Sequence, residues 1–134
     1  METLPLRFPP GVDLRGAIES AIVDHGCQAA FVLSGIGSLS ATRLRLAGAT
    51  QPAQIDGAVE ILTLAGTVAR DGAHLHMSIA DATGQVTGGH VAPGCIVRTT
   101  AEILLVLLPE WSFAREADSA TGYAELVVRP AQPR

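Results

Sequence analysis

The sequence contains no lysine, so all nine of its basic residues are arginines, and these are scattered along the chain. Thirteen acidic residues give a formal net charge of −4. The DNA-binding AT-hook core, Arg-Gly-Arg-Pro, is also missing, and Arg129-Pro130 is only a fragment of it. A chain that binds DNA by itself is expected to cluster basic residues. We therefore expect no DNA binding by the isolated chain.

Cysteines and long apolar segments are also scarce. The only cysteines, Cys27 and Cys95, each lie in an apolar stretch, which favours buried thiols over a disulfide. The N-terminus lacks the apolar segment of a signal peptide. The longest apolar run, 103–108, is far too short to span a membrane. These absences predict a cytoplasmic protein with no membrane partner.

Aromatic residues make up 4% and charged residues 16% of the chain, whereas 48% is hydrophobic. The core must therefore consist mainly of leucine, valine, isoleucine and alanine. The length of 134 residues predicts one domain over 1–134 that is large enough for a hydrophobic core. The low charge leaves room for a large buried interface between subunits.

One helix and several strands can be predicted. Asp13 can cap a helix that has an apolar stripe and ends at Gly26. Segment 34–37, which contains two glycines, is predicted as a turn between strands. Segment 95–108 is predicted as a buried strand, with a helix as the alternative. The remaining predicted strands cover 4–8, 27–36, 39–46, 59–69, 111–115 and 123–128, and the tail 129–134 is expected to be loose.

Three histidines can share one face of a β-hairpin. His74 and His76 point the same way because side chains alternate along a strand, and their β-carbons would lie about 7 Å apart. A three-residue loop, 82–84, pairs Asp81 with Gln85 and His76 with His90. This register places His90 on the same face. A one-residue change of loop length would send it to the other face.

Three neutral imidazoles suit zinc, iron, nickel or copper and leave a coordination position open. Zinc is the default prediction for His74, His76 and His90, and other divalent transition metals remain alternatives. Without metal, the histidines would hydrogen-bond one another or line a subunit interface. The nearby Gly88 and Gly89 predict a bulge or a close approach of another backbone or a ligand.

Two carboxylates, Glu60 and Glu102, are candidates to accept an imidazole N–H or to act as a base on a bound water. Because side chains alternate between the two faces of the strands joined by the Asp71-Gly72 turn, we expect Glu60 on the face opposite His74 unless a bulge intervenes. An edge or interface salt bridge is the alternative role for both glutamates. Arg43 and Arg45 share one strand face, which is typical of solvated residues or of anion contacts at an interface.

An ordered series of motifs carries a family resemblance. The series comprises Glu60-Ile61-Leu62-x-Leu64-x-Gly66, His74-x-His76-x-Ser78, Asp81-x-x-Gly84-x-Val86-x-Gly88-Gly89-His90 and Thr100-Ala101-Glu102. It resembles the PPC, or "plants and prokaryotes conserved", domain, and the resemblance implies a single domain over 1–134 with a core from about 6 to 128. The resemblance implies an α/β domain of the α+β type that forms a homotrimer, and its histidines look like a metal site. The family's Arg-Phe pair, linked in plants to partner contacts, is replaced here by Ala58-Val59.

The sequence thus predicts a mostly antiparallel sheet with one main helix. The leading function is a stand-alone PPC-domain homotrimer that binds a divalent metal or a small ligand through the three histidines. Family members are often labelled as DNA-binding, so a DNA-associated regulator that acts directly or through partners is one alternative. A metal-dependent enzyme of unknown substrate is the other.

Overall fold

The computed structural model describes residues 1–132, which fold around a six-stranded antiparallel sheet. The elements are β1 (Glu2–Phe8), α1 (Leu14–Asp24), β2 (Ala29–Arg45), β3 (Ala53–Ala69), β4 (Gly72–Ala80), β5 (Val86–Val91), β6 (Ile96–Leu107), β7 (Trp111–Ala117) and β8 (Ala124–Pro130). The sheet order is β1-β6-β2-β3-β4-β5, and β7 and β8 form a separate hairpin. The predicted fold class, a mostly antiparallel sheet with one main helix, is confirmed.

Strand β2 closes part of the sheet into a ring. It pairs with β3 and β6 along most of its length, and at its end it also pairs with β5, where Leu44 lies opposite Val91 and Arg45 opposite His90. Strands β2, β3, β4 and β5 therefore form a closed circuit, while β6 and β1 extend the sheet. This closure brings β5 next to the C-terminal end of β2.

The core lies between the inner face of the sheet and α1. Leu14, Ile18 and Ile22 of the helix are fully buried, and each such side chain contributes about 1.5–3 kcal/mol through burial. The Asp13 carboxylate caps the helix by accepting the Gly16 N–H at 2.9 Å, and its other oxygen accepts the Gly94 N–H at 2.6 Å. The predicted helix and its cap are confirmed.

The predicted turn at 34–37 is wrong, because β2 runs through this segment without reversing. A β-carbon on Gly35 would lie 2.9 Å from Ile103 Cδ1, and one on Gly37 would lie 2.7 Å from the Ala101 Cα. The glycines therefore allow β6 to approach closely instead of turning the chain. The β2–β6 register shifts between 32 and 34 and between 37 and 39, and these irregularities accommodate extra residues of β2.

Several other segments differ in length from their predictions. β3 starts at Ala53 rather than 59, and 96–107 is a strand, not the alternative helix. Part of the tail that was expected to be loose belongs to β8, where the Arg129 guanidinium binds the Glu116 carboxylate at 2.7 and 3.0 Å. The end of that predicted tail, 133–134, lies outside the described residues.

The two thiols are free and buried, as predicted. The Cys95 thiol hydrogen-bonds the backbone of Arg43, and burial raises its pKa. In the part of the chain that the structure describes, no helix is both long and apolar enough to cross a membrane.

Candidate metal centre

The β4–β5 hairpin sets the register on which the candidate site depends. The Asp81 carboxylate accepts backbone N–H groups from Thr83 at 2.8 Å and from Gln85 at 3.0 Å, and Gly84 takes the left-handed conformation with φ +82°. The loop therefore closes as a short turn. His76 pairs directly with His90, and the predicted register is confirmed.

This register gathers His74, His76 and His90, here called the histidine cluster, on the sheet face that points away from the core. His76 Nε2 lies 3.1 Å from His74 Nε2, and His74 Nε2 lies 3.2 Å from His90 Nδ1. One nitrogen from each ring lies within 4.8 Å of the other two. His74 and His90 are partly buried, while His76 is exposed. One ion could therefore be reached by all three rings.

The contacts of His74 are difficult to explain by hydrogen bonds alone. An imidazole nitrogen carries either one hydrogen or one lone pair, so His74 Nε2 can make only one good hydrogen bond. Its two short contacts thus exceed its capacity. Donor atoms on a tetrahedral zinc, with bonds of 2.0–2.1 Å, lie about 3.3–3.4 Å apart. Both separations are close to that value, so two of the three nitrogen pairs have the spacing of ligands on a metal of this size.

Two rings of the cluster, His74 and His90, have surroundings that favour their neutral forms. Burial, followed by the charge of Arg115, lowers the pKa of His74. Burial, followed by the charge of Arg45, lowers the pKa of His90. Neutral imidazoles present the lone pairs that a metal ion requires.

The two candidate carboxylates lie apart from the cluster. A bulge at Leu62 shifts the β3–β4 register, so Glu60 pairs with Ala80 and shares the face of the histidines. Ala80 is four residues beyond His76, about 13 Å along the strand. Glu102 is on β6, opposite Arg7 and Ile36. Among the hydrogen bonds of residues 1–132, none joins either glutamate to an imidazole ring.

The two glycines beside His90 lie where strands approach closely. A β-carbon on Gly89 would lie 2.8 Å from the Arg45 carbonyl oxygen, and one on Gly88 would lie 3.1 Å from that of Met77. The β4–β5 register continues without a shift through both positions. These glycines therefore keep β5 close to β2 and β4, and they do not form a bulge.

A cleft of about 540 Å³, here called the arginine cleft, opens beside the cluster. Its lining includes His74 and His90 together with Arg15, Arg45 and Arg115, which come from three different elements. Of these three arginines, only Arg45 is a candidate from the sequence. Arg15 on α1 and Arg115 on β7 reach the cleft through tertiary packing, for which the local sequence holds no signal.

Comparison with solved structures supports the fold. A hypothetical protein from Salmonella cholerae-suis is 33% identical with a TM-score of 0.94, covering 98% of this chain and 95% of that chain. The metal-containing protein AF0104 from Archaeoglobus fulgidus is 26% identical with a TM-score of 0.80, covering 95% and 94%. A plant- and prokaryote-conserved (PPC) protein from Pyrococcus horikoshii is 26% identical with a TM-score of 0.74, covering 92% and 90%.

Curated relatives and a family comparison show which protein family the chain belongs to. A bifunctional protein GlmU from Synechococcus sp. (strain JA-2-3B'a(2-13)) is 48% identical over 130 residues, or 97% of this chain. The chain spans only about a fifth (21%) of the length of that relative. Residues 1–109 match the Plants and Prokaryotes Conserved (PCC) domain, the family that the motif series resembles. Because this match covers most of the chain, the protein belongs to the PCC domain family.

Proposed function

We propose that this protein binds one divalent transition metal ion through His74, His76 and His90, with zinc as the simplest occupant. The observation that carries the proposal is the convergence of three ring nitrogens, two pairs of which are 3.1 and 3.2 Å apart. Three imidazoles are an established zinc ligand set. They would leave one coordination position for water or a small ligand.

Three further features support a metal rather than a metal-free histidine contact. The lowered pKa values of His74 and His90 favour neutral, metal-binding rings. Without an ion, one short contact of His74 Nε2 has no good hydrogen bond to explain it. The Archaeoglobus relative is a metal-containing protein of the same fold.

Metal analysis of the untagged full chain tests the proposal. Equilibration with zinc, followed by removal of free ion, should leave about one zinc per chain. The His76→Ala variant should retain far less, with little loss of stability because His76 is exposed.

His25→Ala is the matched control for this experiment. His25 lies at the end of α1, where its Nδ1 donates to the Ala21 carbonyl at 2.8 Å, remote from the cluster. This variant should hold as much zinc as the wild type. Full zinc in the variant that replaces all three cluster histidines would refute the proposal.

We also propose that the protein assembles as a homotrimer through the sheet face that carries the histidine cluster. Leu33, Ile36 and Leu62, on β2 and β3, are 62%, 52% and 45% exposed. Exposed apolar patches of this kind are typical of interaction surfaces. The β7–β8 hairpin covers only one end of this face, where Phe113 packs on Ala29 and Ala69. A second copy of the chain would cover the rest.

A further inference from the structure

We propose that the arginine cleft binds a small organic anion, whose carboxylate or phosphate group is held by Arg45 and Arg115 beside the metal. This inference rests on the proposed metal function and names the class of ligand. The cleft volume of about 540 Å³ lies within the usual range for small-molecule sites.

The two arginines are available for an anion. Among residues 1–132, the ion pairs are Arg15–Glu19 and Arg129–Glu116, so neither Arg45 nor Arg115 has a carboxylate within 4.0 Å. Arg45 donates to the Ala49 carbonyl at 3.3 Å, and Arg115 donates to Thr67 Oγ1 at 2.8 Å. Each guanidinium has five N–H donors, so most remain free. These single contacts hold the side chains in place without neutralising them.

The position of the arginines links the anion to the metal. Arg45 lies directly opposite His90 on the paired strands β2 and β5. Arg115 binds Thr67, which itself lies opposite His74 on β3 and β4. The two guanidinium groups therefore stand beside two of the three proposed ligands. A bound anion could contact the arginines and the open metal position together.

Acidic groups in the cleft do not cancel this charge. Asp71 lines the cleft, but its carboxylate already accepts the Arg115 backbone N–H at 3.0 Å. Glu125 is the other carboxylate of the lining. The combined positive charge of the two unpaired guanidinium groups and a bound metal ion would exceed the combined negative charge of Glu125 and Asp71. The planar fork of each guanidinium suits carboxylate and phosphate oxygens, which it can bind in a bidentate manner.

Calorimetric titration of the zinc-loaded full chain tests this inference. Malonate and inorganic phosphate serve as separate probes, so that the preferred oxyanion is identified. Arg45→Gln and Arg115→Gln should each weaken binding of the preferred probe about tenfold, as expected for the loss of a charge-assisted hydrogen bond. Arg98→Gln removes an equal charge from an exposed site on β6 and should bind as the wild type does.

Zinc content, measured on every sample, separates the two proposals. The anion site is supported if zinc content is unchanged and only the two cleft variants bind the probe more weakly. If zinc content is unchanged but all variants bind the probe with equal affinity, the anion site is overturned and the metal proposal stands. The same conclusion follows if no variant shows saturable probe binding below about 10 mM. If no zinc is retained, the metal proposal fails. The probes are then titrated into the metal-free chain. If they bind and the two arginine substitutions weaken that binding, the anion site is supported without the metal. If the substitutions leave binding unchanged, the anion site is overturned.

Discussion

At the scale of single residues, the candidate site depends on the bonding capacity of imidazole nitrogens. His74 stands between His76 and His90, and its Nε2 contacts both neighbours. One ring nitrogen makes only one well-directed hydrogen bond, whereas a metal ion can accept lone pairs from all three rings. Partial burial, followed by the charge of a nearby arginine, lowers the pKa of His74 and of His90 and so favours their neutral forms.

The stability of the metal-free protein should depend on pH through these rings. Because the pKa values of His74 and His90 are lowered on folding, the unfolded chain binds more protons as the pH falls below about 6.5. Their contribution to the free energy of unfolding is fully present above that pH and is lost as the pH falls through the folded pKa values. Urea unfolding of chelator-treated protein between about pH 5 and pH 7 measures this loss.

The control for the pH experiment removes the two titrating rings. A variant with His74→Ala and His90→Ala should show a smaller fall in the free energy of unfolding over the same interval. An identical slope in the variant would assign the pH dependence to other groups. Zinc binding by the wild type should weaken over the same interval, because protons compete with the metal for the imidazoles.

At the scale of elements, the close approach of β3 to β4 positions the cluster. A β-carbon on Gly66 would collide with the His74 carbonyl oxygen and would lie 2.9 Å from the Leu75 Cα. Gly66 therefore lets β4 pair tightly at the residue that carries a proposed ligand. Together with Gly89 on the other side of the hairpin, it fixes the backbone beneath the three rings.

Gly66→Ala should be more destabilising than Gly57→Ala. Both residues have positive φ, so each substitution costs about 1–2 kcal/mol in backbone strain. A β-carbon on Gly57 meets nothing within 4 Å, whereas at Gly66 the collision should add about 1–3 kcal/mol. Thermal or urea unfolding of the two variants measures the difference. Equal losses would show that β3 and β4 can separate at no cost.

The sequence predicted those elements whose signals are local. The cap at Asp13 and the three-residue loop after Asp81 specified the helix and the hairpin register, and both are confirmed. The face of Glu60 depends on the bulge at Leu62, and the continuity of β2 depends on how closely β6 packs against Gly35 and Gly37. Both are properties of strand pairing, which the local pattern does not encode. The arginine cleft was not predicted, because Arg15 and Arg115 reach it only through tertiary packing.

At the scale of the whole molecule, the chain combines low charge with an exposed apolar sheet face. Large exposed side chains on the central strands, among them Ile36 and Leu62, leave apolar surface in contact with water in a single chain. Such surface is usually covered by a partner. The net charge of −4 makes a nucleic acid an unfavourable partner for this face, and we expect the apolar side chains to be covered by a second copy of the chain.

Light scattering at micromolar concentration should give a mass near three times the 13.8 kDa of one chain. The variants Ile36→Glu and Leu62→Glu should shift the mass towards that of a monomer, because each would bury an unpaired carboxylate between subunits. Val23→Glu is the control, since Val23 is 59% exposed on α1, away from this face, and it should leave the mass unchanged. A monomer mass for the wild type would contradict the assembly.

The isolated chain should not bind duplex DNA specifically. Lysine is missing and the net charge is −4, so few phosphate contacts are available to release counterions. A mobility-shift titration at two salt concentrations measures this. Submicromolar, competitor-resistant binding to a defined duplex at about 150 mM salt would contradict the charge argument.

The most direct test of the central claim is X-ray absorption at the zinc edge of the zinc-loaded wild-type chain. We expect three imidazole nitrogens at about 2.0–2.1 Å from the zinc ion, with a fourth light atom completing a tetrahedron. The His76→Ala variant should lose that signal, and His25→Ala should keep it. A shell of oxygen atoms without imidazole scattering, or sulfur at about 2.3 Å from Cys27 or Cys95, would contradict the histidine centre.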